Sequence, residues 1–125
     1  MAQSTIKNIK EIVERGTNSG WEYIKYSDGT FEASRYSTSG ATGTLTQIGS
    51  TGIYYSPQIE ITFPSIGISQ VRALNIGCAP STNFFLDIVV NRLTTTSVYA
   101  YYLRYGSNVA VSDITWWAKI EGKWS

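Results

Sequence analysis

The sequence predicts one all-β domain, an antiparallel sandwich or barrel, and three observations carry that expectation. From Trp21 onward apolar and polar residues alternate with a period of two, and seven or eight such runs are separated by Gly, Pro, Asn and Ser clusters. Tyr, Thr, Val and Ile, which suit half-buried pleated surfaces, are abundant, with nine Tyr against four Phe and four Trp. At 125 residues and 42% apolar content the chain is long enough to close one core and short for two.

The first element admits two readings. Ile6, Ile9 and Val13 recur at spacings of three and four among Lys7, Lys10, Glu11 and Glu14, with Ser4 placed as a cap, which predicts an amphipathic helix over residues 4–14. A helix this short is marginal alone in water, so its apolar stripe must pack on the domain or on copies of itself. The competing reading makes residues 12–15 a strand entering a loop at residues 16–20. Both divide the chain into a helical or extended stem, residues 1–15, and a head domain, residues 16–125.

The strands follow in order. Residues 21–36 predict a hairpin, because Asp28-Gly29 lies between alternating aromatic and apolar residues and both turn positions need a positive φ. With Asp28-Gly29 as a two-residue turn, Tyr26 faces Phe31, Lys25 faces Glu32, Glu22 faces Arg35 and Trp21 faces Tyr36, all pairs that cross-strand contact favours. Residues 37–52, rich in Ser, Thr and Gly, predict a long loop or an edge strand. Ile59, Ile61 and Phe63 alternate with Glu60 and Thr62 between Pro57 and Pro64, giving a strand with one buried face. Residues 71–78 place Leu74, Ile76 and Cys78 on one side, and residues 84–91 place Phe84, Leu86, Ile88 and Val90 on one side. Residues 97–105 set Val98, Ala100 and Tyr102 against Tyr99, Tyr101, Leu103 and Tyr105. The last strand, residues 114–120, sets Ile114, Trp116, Ala118 and Ile120 against Thr115, Trp117 and Lys119. Strands apolar on both faces are central or covered twice, and in so small a domain a neighbouring subunit supplies the second cover most easily, which predicts a homo-oligomer.

Composition narrows the chemistry. The chain has no His and one Cys, so the commonest general base is missing, and neither an internal disulfide nor a thiolate zinc site can form. A lone Cys fits a reducing cytoplasm. Ten basic and nine acidic residues are spread along the chain, leaving no field to attract nucleic acid or anionic lipid. No apolar run reaches the length of a spanning helix and no leader pattern opens the chain, so a soluble protein not exported by a cleaved signal is expected. No phosphate loop or calcium loop occurs, and no cofactor or metal is expected. Among the carboxylates, Asp28 belongs to the turn, and Glu22 and Glu32 take basic partners across the hairpin. Glu60, Asp87, Asp113 and Glu121 are left as acids on the polar side of the pleat, so the expected protein is not an enzyme. Tyr, Trp, Asn, Ser and Thr are in surplus, the flat rings and neutral hydrogen-bonding groups that recognise sugars.

One resemblance is specific. Residues 13–17, Val-Glu-Arg-Gly-Thr, followed by Trp21-Glu22-Tyr23-Ile24-Lys25-Tyr26-Ser27-Asp28-Gly29-Thr30-Phe31-Glu32, resemble a segment of the C-terminal domains of bacteriophage tail-fibre, baseplate and minor structural proteins. Residues 116–124, with Trp116, Trp117, Gly122 and Trp124, are similar to the final strand of those domains. The resemblance covers about a third of the chain, at its two ends. It implies a jelly-roll-like β-sandwich head, homotrimeric and preceded by a stem, in a virion tail assembled in the host bacterial cytoplasm. It further implies contact with other virion proteins and a role in host attachment through a cell-surface saccharide, or else a purely structural part. The family segment marks the fold and carries no ligand residues. Fibre proteins are usually much longer than this chain. Tyr54, Tyr99, Tyr101, Tyr105 and Trp117, set opposite an adequate apolar set, are the candidate saccharide contacts, with packing in the core or between subunits as the competing role of each. A polysaccharide depolymerase is the remaining alternative, with Asp87 and Asp113 as its acids.

Overall fold

In the computed structural model residues 10–81 and 85–124 are described, apart from the side chains of Ser37 and Thr38. Every regular element among them is a strand: β1 (Ile12–Asn18), β2 (Trp21–Tyr26), β3 (Thr30–Gly40), β4 (Thr46–Gln47), β5 (Ile53–Tyr55), β6 (Ile59–Thr62), β7 (Gln70–Ala79), β8 (Leu86–Leu93), β9 (Ser97–Tyr105) and β10 (Ile114–Lys123). They form two antiparallel sheets, packed together as a β-sandwich. The first has the order β1-β2-β3-β10-β7; in the second, β9 is flanked by β8 on one side and by β5 and β6, end to end, on the other, with β4 outside β5.

The N-terminal element is a strand where it can be followed. Residues 12–14 of the expected helix lie in β1, paired with β2 from Ile12↔Tyr26 to Asn18↔Trp21, while residues 4–9 fall outside the described residues. Two local forces favour the strand. Ile12 and Val13 are β-branched, and Ser19 and Gly20, at φ 52° and 85°, make a two-residue turn of the primed type whose twist matches the strands it joins.

The second hairpin departs from expectation by one residue. Lys25 lies opposite Phe31, Ile24 opposite Glu32, Tyr23 opposite Ala33 and Glu22 opposite Ser34, so none of the four expected pairs forms. The loop holds three residues, not two. Gly29 N–H donates to the Tyr26 carbonyl at 3.1 Å, Gly29 takes φ 87°, and the Asp28 carboxylate accepts from the Thr30 N–H at 3.0 Å and hydroxyl at 2.6 Å. This is a tight turn followed by a glycine bulge, the other loop that Asp-Gly serves well. Those bonds to its charged form also hold the Asp28 carboxyl below its ordinary range. The slip removes the basic partners assigned to Glu22 and Glu32, and leaves Tyr36 60% exposed while Trp21 is fully buried.

Trp21 fastens the layers. Its indole N–H donates to the Thr62 carbonyl of β6 at 2.9 Å, and its ring meets Phe63 edge-on, with centroids 5.8 Å apart. Around it the inner faces interdigitate as the alternation predicts: Phe31 and Ala33 of β3 and Trp116, Ala118 and Ile120 of β10 against Ile61 and Val98. A second cluster joins Ile88, Ala100, Tyr102, Val111 and Ile114. The C-terminus closes on the hairpin, with the Trp124 indole N–H donating to the Tyr26 carbonyl and the Trp124 backbone N–H to that of Gly29. Residues 37–40 extend β3, so the expected long loop shortens to residues 41–52 and contains the edge strand β4.

Two outcomes follow from this packing. Trp21→Phe keeps a ring but leaves the Thr62 carbonyl without its donor, and should lower the urea-derived stability by about 1–3 kcal/mol, against about 3–5 kcal/mol for Trp21→Ala. Burial pushes the Tyr102 phenol up to about 12 and the Cys78 thiol up to about 11. Both are thus held neutral in the fold, and the unfolded chain loses these protons first. Stability fully present below about pH 9 should fall as pH rises toward 12. Tyr102→Phe should remove the part of that loss lying above about pH 10, read from denaturation midpoints across the series.

Candidate functional site

The outer face of the second sheet gathers the tyrosines. In β9, Val98, Ala100 and Tyr102 are buried, so Tyr99, Tyr101, Leu103 and Tyr105 point away from the core. Register then decides their neighbours. On one side Val89 lies opposite Tyr101, Asp87 opposite Leu103 and Arg92 opposite Tyr99; on the other, Tyr55 lies opposite Leu103, Ile53 opposite Tyr105 and Glu60 opposite Tyr99.

The rings are positioned by specific contacts. Tyr55 meets Tyr101 edge-on at 6.0 Å, the Tyr101 hydroxyl donates to Gln58 Oε1 at 3.2 Å, and Asn91 Nδ2 donates to the same oxygen at 3.3 Å. The Arg92 guanidinium lies 5.3 Å from the Tyr99 ring centre. Glu60 accepts from the Ser97 hydroxyl at 2.7 Å. Tyr55 and Tyr105 are 37% and 39% exposed, and Phe85, just before β8, is 79% exposed. The result is a broad, shallow aromatic surface edged by amides, one arginine and two carboxylates. It offers flat ring faces and neutral hydrogen-bonding groups side by side.

Three of the five candidate residues, Tyr99, Tyr101 and Tyr105, meet on this face. Tyr54 does not join them: it lies opposite Arg104, on the reverse side of the same sheet. The cause is a bulge. Ser56, fully buried, donates its N–H to the Tyr102 carbonyl at 3.0 Å and accepts the Tyr102 N–H on its hydroxyl at 2.9 Å, beside Pro57, which has no N–H to give. The pairing sum with β9 changes by one residue across this break, from Tyr55↔Leu103 to Ile59↔Ala100. Alternation carried back from Ile59 and Ile61 therefore points to the wrong tyrosine, and Tyr55 is the one that faces out. Gln58, Asn91 and Arg92 complete the face, and the Pro57 interruption is the readable sign that the phase changes there.

Trp117 lies on the other sheet. Its indole covers Gly77 of β7, where an added Cβ would sit 2.5 Å from the ring. That ring fills the space a side chain would occupy and acts as packing on the outer face of the first sheet. No family model, curated protein or solved structure matches this chain.

Among the acids, Asp113, at φ 57°, borders a groove with Ser81, Arg104 and Ser112, and Asp87 stands on β8 opposite Leu103. Glu121 stands opposite Glu32 on the outer face of the first sheet, where the Tyr26 hydroxyl donates to Glu32 at 2.9 Å and Lys119 pairs with Glu121 at 3.7 Å. Among the described residues no group of three or more acids and Cys gathers to hold a metal ion.

Gly77→Ala should cost about 1–3 kcal/mol, because Trp117 must shift to admit the methyl group. A double-mutant cycle in thermal denaturation should show that cost largely vanish in a Trp117→Ala background.

Proposed function

We propose that this chain is a recognition head of a bacteriophage tail fibre or baseplate, and that the outer face of its second sheet holds an uncharged saccharide of the host surface. One observation carries the reading: Tyr55, Tyr99, Tyr101 and Tyr105 share an exposed face with the Gln58 and Asn91 amides. Sugar C–H faces stack on such rings, and amide and phenol groups exchange hydrogen bonds with hydroxyls. A net charge of +1 gives no long-range attraction for a charged partner and suits a neutral ligand. The resemblance at residues 13–32 and 116–124 supports placement in a virion. The strand order β3-β10-β7 over β5/β6-β9-β8 supports the jelly-roll-like arrangement, as two sheets wrapped from one folded-over hairpin.

A second reading has a specific observation behind it. Ile53, Phe85, Val89 and Leu103 interleave with the tyrosines, and charge-poor aromatic surfaces of this kind also pack against other virion proteins. In that case the domain is a structural part with no ligand.

A glycan array probed with the intact chain separates the two. Tyr101→Ala and Tyr105→Ala should each weaken binding roughly tenfold, as loss of a stacking ring predicts, while Tyr54→Ala and Trp117→Ala should leave it unchanged. Silence across host-relevant saccharides, with unimpaired adsorption of virions carrying Tyr99→Ala and Tyr101→Ala, would establish the structural reading instead.

A further inference from the structure

Strand β8 is a long edge of the second sheet. Among the described residues it pairs only with β9, and it runs for eight residues with no Lys or Pro, its Ile88 N–H donating to the Asp87 carboxylate at 3.1 Å. Val89, Val90 and Leu93 along it are 42%, 39% and 43% exposed. Edge strands of monomers are normally short, kinked away or charged, since open N–H and C=O groups recruit another strand. β8 carries Asp87 and Arg92 beside an irregularity, as β1 carries Glu14 and Arg15; β4 and β6 have two and four residues, and β7, the ten-residue edge of the first sheet, has one charged residue, Arg72, so what sets β8 apart is the arrangement of its two opposite charges.

The sequence of β8 is complementary to itself. An irregularity between Val90 and Arg92 makes Asn91 an extra residue, so Asp87, Val89 and Arg92 all lie opposite outward residues of β9 despite their odd spacing. Two antiparallel copies related by an axis through Val89 then place Val89 against Val89 and Ile88 against Val90. Each copy's Asp87 falls opposite the other's Arg92, the bulge in each strand absorbing the extra residue. Opposite charges directly across a strand pair favour that register, and like charges disfavour it.

We infer that β8 pairs with β8 of a second copy of this chain, antiparallel about a two-fold axis at Val89, with Asp87 and Arg92 facing each other twice. The second sheet then runs unbroken through both copies. Because the axis is normal to the sheet, both tyrosine faces lie on the same side of the dimer. This pairing does not depend on the saccharide reading, and it differs from the threefold assembly that the family resemblance implies.

Light scattering on the intact chain over a wide concentration series should give about twice the 13.8 kDa chain mass. Asp87→Arg should raise the dimer dissociation constant roughly tenfold, since two attractive pairs become repulsive, and adding Arg92→Asp to it should restore the wild-type value. Circular dichroism confirms that each variant is folded. If Asp87→Arg does not fold, Val89→Lys takes its place, and hydrogen exchange of the wild type should show the β8 amides more protected at high than at low concentration. A wild type that is monomeric throughout, a trimer indifferent to Asp87→Arg, a double variant as weak as the single one, or β8 amides equally protected at all concentrations would each overturn the pairing.

Discussion

The fold turns on one buried indole. Trp21 stands at the start of β2, in the first sheet, and gives its only hydrogen-bond donor to the Thr62 carbonyl in the second. A backbone carbonyl at the end of β6 thereby finds a partner in the opposite layer, and the edge-on contact with Phe63 fixes the angle at which that end of β6 arrives. An indole buried without such an acceptor would carry an unsatisfied donor, so sheet separation, strand register and ring orientation are set together. The β2–β3 hairpin and the Trp124 closure gather around this point, and both lie in the parts of the chain that carry the family resemblance.

The two outer faces are built from different materials. That of the first sheet carries Glu22, Glu32, Lys119 and Glu121, with the Glu32 and Glu121 pair eased by Tyr26 and Lys119, and its indole, Trp117, folded down onto a glycine. That of the second carries four tyrosines, Leu103, Ile53 and Val89, with polar groups mainly at its margins. Solvent is the natural neighbour of the first. The second, rich in rings that lose few rotamers, offers contact area at little cost in side-chain entropy.

The sequence disclosed inner and outer faces wherever the alternation ran unbroken. In β9 and β10 it separated Val98, Ala100 and Tyr102 from the outward tyrosines, and Ile114, Trp116, Ala118 and Ile120 from Trp117. It misled where a single residue shifts phase. Asp28-Gly29 serves both two-residue and three-residue loops, and only Thr30, bonded to Asp28, decides between them. At Ser56 and Pro57 a buried hydroxyl replaces a ladder partner, an event that hydrophobic pattern does not record. At residues 12–14 helical and strand periods both fit a few apolar residues, and pairing with β2 settles the matter through contacts that are distant in pattern though close in sequence.

The Ser56 break has a consequence for the outward face. Because Ser56 bonds Tyr102 through both its N–H and its hydroxyl, β5 and β6 hold different registers on the same strand, and Tyr55 faces outward although Ile59 and Ile61, an even number of residues further on, face inward. The joint works as a phase switch. It frees the half that carries the outward tyrosine from the phase of the half that holds the core.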